Sequence, residues 1–253
     1  MAALQSEAIV LSAIRYGETS KIVRLATRDR GIVSAIAKGA LRPRSRFGAA
    51  LQLLSRGTAQ YLPPRHGELH TLTAFDLQHL PLAVGAALER FAAAIAMAEL
   101  VQRVGSADPH PEIFDALDQA IRELEHASPE AAEVLGLKWL WSIVCLLGFE
   151  PALAGCALDG TLIPNGVPMA FSVSEGGALC PDCARSRAAN WLPAEDRADL
   201  TVLLDPDAAL PRLDPRHATA HRRLLARFIH HQVAEGANLP ALDFWLREPW
   251  GQG

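Results

Sequence analysis

Between Glu7 and Asp76 the chain compresses five short β-like runs into about 70 residues, which leaves few folds open. The run 8–14 closes at Tyr16-Gly17-Glu18, and 21–27 alternates in places with a period of two. Asp29-Arg30-Gly31 is a hairpin signal leading into 31–37, with Gly31 free to take a positive φ. Residues 50–62 and 68–75 read as two more strands, parted by Pro63-Pro64-Arg65-His66-Gly67. Five strands of this size predict a closed barrel of the oligonucleotide-binding (OB) type over 1–79, with an SH3-like barrel as the nearest competitor.

The texture turns helical at Leu80-Pro81. Residues 83–104 place Leu88, Phe91, Ile95 and Leu100 at helical spacing, and Pro109 and Pro111 divide this helix from a second over 112–126. Ser128 as N-cap and Pro129 at the first position start a third helix reaching Gly148. It is apolar on most sides, so it predicts a central core helix in which Trp139, Trp141 and Cys145 pack inward. Residues 151–187 lose this period and gather Gly, Pro and Cys; helices return over 193–204 and 216–235. The expected architecture is multidomain α+β: barrel 1–79, helical domain 80–150, a zinc-finger-like insert 151–187, and the second part of the helical domain over 188–253.

Charge is split between these regions. Residues 1–80 hold 11 Lys and Arg against 5 Asp and Glu, and the remainder holds 13 against 23. Lys38, Arg42, Arg44 and Arg46 crowd around the segment GALRPRSRFG, where Pro43, Gly39, Gly48 and Ser45 oppose helix and strand alike. A flexible basic loop on a small barrel suits sequence-tolerant contact with nucleic-acid phosphates, with Arg15, Lys21 and Arg24 extending it over the barrel face. Phe47 and Tyr16 are candidate stacking aromatics; the competing reading makes each a core or hinge residue, and Phe47 an anchor for the loop's return.

Cys180-Pro181-Asp182-Cys183 is a CxxC knuckle, and Cys156 lies upstream with Asp159 three positions later, where a four-thiolate site would carry Cys. Two readings stay open. Either Cys156, Cys180 and Cys183 hold a structural zinc with Asp159 or water as fourth ligand, or the knuckle is metal-free and held by turns. A redox role is disfavoured because the CxxC does not follow a strand in a βαβ unit. His217 and His221, one helical turn apart, read as surface histidines beside Arg216, Arg222 and Arg223, as do His230 and His231.

No catalytic residues stand out. GxxxxGK[ST], GxSxG and HExxH do not occur, and Pro181 follows Cys180 where the PCxxC of a zinc deaminase would place a proline before it. No apolar run reaches the ~18 residues of a membrane span, and the first residues lack the basic region of a signal peptide. A cytoplasmic, non-enzymatic protein is expected.

Several segments in order along the chain resemble the RecO family of bacterial recombination mediators. They are Arg15-Tyr16-Gly17-Glu18-Thr19-Ser20-Lys21, Thr27-Arg28-Asp29-Arg30-Gly31, Ala37-Lys38-Gly39-Ala40 and Arg42-Pro43-Arg44-Ser45-Arg46. Gly67-Glu68-Leu69-His70-Thr71-Leu72, Gly148-Phe149-Glu150-Pro151, the stretch from Phe171-Ser172 to Leu179-Cys180-Pro181-Asp182-Cys183, and the closing Leu242-Asp243-Phe244-Trp245-Leu246 continue it. The resemblance implies an N-terminal OB domain, a helical C-terminal domain, and zinc in members that keep four cysteines. It also implies binding of single- and double-stranded DNA, strand annealing, and action with RecR to load RecA onto DNA covered by single-strand-binding protein (SSB), at the nucleoid during repair. The acidic SSB tail would dock between helices, where Arg222, Arg223 and Arg227 with apolar neighbours form a basic-rimmed groove. The alternative is another OB-fold factor directed at RNA.

Overall fold

The computed structural model describes residues 3–247; the flanking residues lie outside the described residues. The chain forms two compact units, 1–126 and 127–253. In the first, β1 (Leu4–Tyr16), β2 (Ser20–Thr27), β3 (Gly31–Ala37), β4 (Arg56–Leu62) and β5 (His70–His79) close a barrel in the order β1-β2-β3-β5-β4. All pairs are antiparallel except β3 with β5. That is the OB order, with one long strand, β1, pairing β2 along one stretch and β4 along the other. Its inward row, with Val23, Leu25, Val33, Ala35, Tyr61 and Leu72 all buried, follows from the period-two pattern.

Geometry requires glycine at Gly31 and Gly57 of the barrel. Gly31 turns the β2–β3 hairpin at φ +58°, and a Cβ there would collide with the backbone of Ser106 and Asp108. At Gly57 a Cβ would strike the Asp76 carbonyl across the β4–β5 pair. The segment 80–126 stays with the barrel, so the boundary expected at residue 80 marks the end of the β-structure and not of the compact unit. It holds α1 (Leu82–Gly85), α2 (Leu88–Val104) and α3 (Pro111–His126). Arg28 pairs with Asp115 at 2.8 Å, and Arg56 with Asp118 at 3.1 Å, tying α3 to the strands.

The second unit is built on α4 (Pro129–Leu146), whose Ser128 side chain caps Ala131 N–H at 3.2 Å. Trp141 is fully buried and stacks at a tilt, 5.2 Å between centroids, on Phe228. Cys145 departs from expectation: it is half-buried, its thiol pushed up to about 11 by burial and then by Glu150. A three-stranded sheet of β6 (Met169–Ser172), β7 (Gly177–Leu179) and β8 (Asn190–Leu192), with the short α5 (Pro181–Ala184), occupies the region expected as an insert and runs past its expected end at 187. Helices α6 (Ala194–Leu204), α7 (Pro215–Phe228) and α8 (Pro240–Arg247) complete the unit, and α7 ends in a π-helical turn over Ile229–Val233.

Two buried arginines organise this unit. Arg197 of α6 donates to the carbonyls of Leu153, Ile163, Pro164 and Val167, satisfying acceptors of the 153–167 loop. Arg222 of α7, 2 % exposed, faces Glu133 of α4 at 3.4 Å and lies over the Trp245 ring. Arg222 therefore belongs to the interior and not to a surface groove. Helix α4 buries Glu133 because its partner guanidinium is supplied from α7.

Candidate nucleic-acid interface and metal centre

The segment between β3 and β4 is longer and more ordered than the flexible loop expected. Strand β4 begins at Arg56, not near Ala50, so residues 38–55 all belong to the connection. Successive turns bind it: Arg42 N–H to Gly39 O, Ser45 N–H to Arg42 O, Gly48 N–H to Ser45 O and Ala50 N–H to Phe47 O, at 2.8–3.2 Å. Gly39 and Gly48 take the positive φ these reversals need. Ala40, Phe47, Ala50 and Leu51 drop into the barrel core.

That anchoring decides where the charges go. With the apolar side chains spent inward, Lys38, Arg42, Arg44 and Arg46 are exposed. Among the described residues none of the four forms an ion pair with a carboxylate, so their charge is not neutralised within the protein. Phe47 is 2 % exposed, so the anchor reading holds and its candidacy as a stacking residue is corrected, with Arg46 lying 5.2 Å over its ring. Tyr16 is corrected the other way. At 55 % exposure it is neither core nor hinge but an aromatic offered to solvent at the tip of the β1–β2 hairpin.

The hairpin and the connection are joined. Leu41 N–H donates to Thr19 O at 2.8 Å, and the Lys21 ammonium donates to Leu51 O at 3.1 Å. Cross-strand register places Arg15 opposite Lys21, and Lys21 opposite Ala37, immediately before Lys38. Arg15, Lys21 and the loop cations thus form one contiguous basic end of the barrel. Arg24 does not join this row: it is half-buried and, three positions from Lys21, points from the opposite side of β2. Lys21 itself doubles as a clamp on the connection.

In the second unit the four donors singled out in the sequence converge. One ligand atom from each of Cys156, Asp159, Cys180 and Cys183 lies within 4.8 Å of the others. Two turns present them. Cys180 caps α5, its sulfur accepting from Cys183 N–H at 3.4 Å. Around Cys156, Gly160 N–H bonds Cys156 O and Cys156 N–H bonds Thr161 O. Asp159 uses Oδ1 to accept Thr161 N–H at 2.9 Å, and turns Oδ2 to the sulfurs of Cys180 and Cys183 at 3.4 and 3.3 Å.

A tetrahedral zinc with Zn–S near 2.3 Å and Zn–O near 2.1 Å spaces its sulfur and oxygen ligands by roughly 3.5 Å. The donor set and its spacing therefore fit a Cys₃Asp centre. Thr161 N–H first, then the Cys156 thiol, holds the Asp159 carboxyl well below the usual carboxylate range. Hydrogen bonding to Cys180, then to Asp159, pushes the Cys183 thiol up to about 12. Burial alone would raise Cys156, but N–H groups of Cys180, Asp159 and Leu158 outweigh it and lower the thiol.

The expectation of surface histidines fails for His221, which is 2 % exposed and faces Asp196 of α6. His230 is part-buried against Asp243 at 3.0 Å. Arg223 and Arg227 remain exposed and line a groove with Ala220 and Leu246. No helix among the described residues is long and apolar enough to cross a membrane.

Comparison with known proteins matches both units. The model of "Recombination protein O N terminal" covers residues 1–80, and that of "Recombination protein O C terminal" covers residues 86–239. A DNA repair protein RecO of Anaeromyxobacter dehalogenans is 33 % identical over 241 residues, 93 % of each chain. The protein of the same name from Rubrobacter xylanophilus is 36 % identical over 183 residues, 72 % of each chain. One from a Nocardioides species is 33 % identical over 217 residues, 85 % of this chain and 86 % of that one.

Proposed function

The chain belongs to the recombination protein O family, and on that footing we propose that it is a non-enzymatic DNA-binding mediator that anneals complementary strands. Membership in the family supports a role in DNA repair and recombination. The observation that carries the finer reading is the basic end of the barrel: Lys38, Arg42, Arg44 and Arg46 exposed, unpaired and held in place by buried anchors. An ordered loop backbone spares the cost of ordering it on meeting phosphates, and guanidinium groups contact them bidentately. Such a surface neutralises two backbones while leaving Watson–Crick edges free to pair. Tyr16 at the hairpin tip would stack on an unpaired base.

Cys156, Asp159, Cys180 and Cys183 would hold a structural zinc, fixing two turns of the second unit. When bound, the ion would supply cross-linking strength and no chemistry. The groove between Arg223, Arg227 and Leu246 has the character an acidic tail with an apolar end would need, and the SSB C-terminal tail is the proposed occupant. RecR and, through it, RecA complete the proposed partners; DNA rather than RNA is the proposed polymer. The test is annealing of complementary oligonucleotides, bare and SSB-coated, without any nucleotide cofactor. Acceleration on both, lost on deleting the SSB tail only for the coated strands, is expected. No acceleration on bare strands, or a preference for RNA pairs, would overturn the reading.

A further inference from the structure

Helices α6 and α7 face each other with two side chains apiece that have metal-ligand chemistry. On α6, Asp196 and Asp199 are three residues apart; on α7, His217 and His221 are four apart, so each pair lies on one side of its helix. One ligand atom from each of Asp196, Asp199 and His221 lies within 4.8 Å of the others. Spacing of this kind on facing helices is how bundles assemble metal sites.

The histidine makes this more than a cluster of acids. His221 is 2 % exposed, and neither ring nitrogen makes a hydrogen bond; Asp196 Oδ1 is likewise buried without one. A buried imidazole with both nitrogens idle is uncommon, because each lost partner leaves a desolvated polar atom. Its Nε2 stands 3.7 Å from Asp196 Oδ1. That is too long for a hydrogen bond, yet close to the roughly 3.3 Å between two ligands of one tetrahedral zinc with bonds of 2.0–2.1 Å.

The surroundings agree. Nδ1 of His217 is bonded to Asp214 Oδ2 at 2.8 Å, which leaves Nε2 as the free nitrogen, 3.9 Å from the same Asp196 oxygen. A carboxylate behind an imidazole is the arrangement that orients histidine ligands toward an ion. Among the described residues no Lys or Arg forms an ion pair with Asp196 or Asp199, and Arg197 between them is turned away to the carbonyls of residues 153–167. A cavity of about 190 Å³ opens onto Asp196 and His221 past Trp191 and Arg227, giving an ion a way in.

We propose that Asp196, Asp199 and His221, with His217 adjoining, form a second cation site that takes a divalent transition metal of the zinc class and joins α6 to α7. Imidazole with carboxylate selects such an ion over magnesium, which prefers oxygen ligands and its own waters. The inference does not depend on the DNA-binding reading, since it concerns the second unit and a different set of residues.

The test separates this site from the thiol cluster. The full chain carrying C180S/C183S is dialysed against zinc alone, and the metal retained per chain is measured. One equivalent is expected, with affinity falling by more than ~100-fold on adding D199N or H221Q, beyond the ~10–100-fold that loss of an outer partner alone costs. Should the cysteine variant fold poorly, cobalt titration of the unaltered chain gives the same answer. Sulfur-to-cobalt charge-transfer absorption should accompany one equivalent only, and a second should show ligand-field bands without it; D199N should remove the second. No metal retained by the cysteine variant, retention indifferent to both D199N and H221Q, or magnesium binding as tightly as zinc, would overturn the proposal.

Discussion

Replacing Arg42, Arg44 and Arg46 together by Glu is expected to weaken binding of single-stranded DNA about 100-fold at low salt. It should also flatten the salt dependence by about 2 on single strands and by about 3 on duplex, because each phosphate contact contributes about 0.7 and 0.9 to the respective slopes. The three side chains are exposed and face no carboxylate, so reversal should leave the barrel's thermal midpoint nearly unchanged. The two aromatics separate contact from scaffold. Phe47→Ala should cost the barrel about 3–5 kcal/mol, the usual penalty for emptying a core Phe site, and disorder the loop as a consequence. Tyr16→Ala should leave stability intact and remove about 1–3 kcal/mol of single-strand binding, one stacked base. Fluorescence anisotropy across a salt series, paired with thermal unfolding, reads all three. Unchanged binding by the arginine variant would take the loop out of the interface.

Removing metal should act on the other unit. Chelation, or C180S/C183S, is expected to eliminate a cysteine-dependent equivalent of zinc. The thermal midpoint of the second unit should fall by roughly 5 °C or more, because an ion bound only to the folded state stabilises it by mass action. D159C would restore a four-thiolate set and should tighten zinc, since thiolate is the softer ligand. DNA binding by the barrel should survive chelation, as none of the four donors lies in residues 1–126. A chain that carries no cysteine-dependent zinc and unfolds identically after C180S/C183S would favour turns alone holding the knuckle.

The barrel was legible because its code is local: alternating residues, a turn at Asp29-Arg30-Gly31, and breaks at Pro63-Pro64. The start of β4 was not, because Ala50, Leu51 and Leu54 are apolar for a different reason. They seat a loop in the core, and a short apolar run reads alike in strand and anchor. The same limit left Phe47 and Tyr16 with the same two readings, of which burial fits Phe47 and exposure fits Tyr16. Whether a single aromatic is buried depends on which end of the barrel closes over it, which no neighbouring residue encodes.

The burial of His221 and Arg222 had a signal that composition masked. Ala218, His221, Arg222, Leu225 and Phe228 recur at three and four residues along α7, the period of a buried stripe. The basic residues around them made the helix read as a surface helix. A carboxylate inside the apolar α4, Glu133, was the complementary clue that a cation from elsewhere would be buried against it. The convergence of Cys156 and Asp159 with the knuckle was readable from spacing. Which oxygen of Asp159 serves its own turn, and which faces the thiols, needed the fold.

The most direct test of the central claim is amide hydrogen exchange with and without a single-stranded oligonucleotide. Slowed exchange is predicted over residues 38–55 and over the 15–21 hairpin tip that is bonded to them, with residues 127–247 unchanged. Protection confined to the second unit, with the barrel's basic end exchanging as it does alone, would contradict the account.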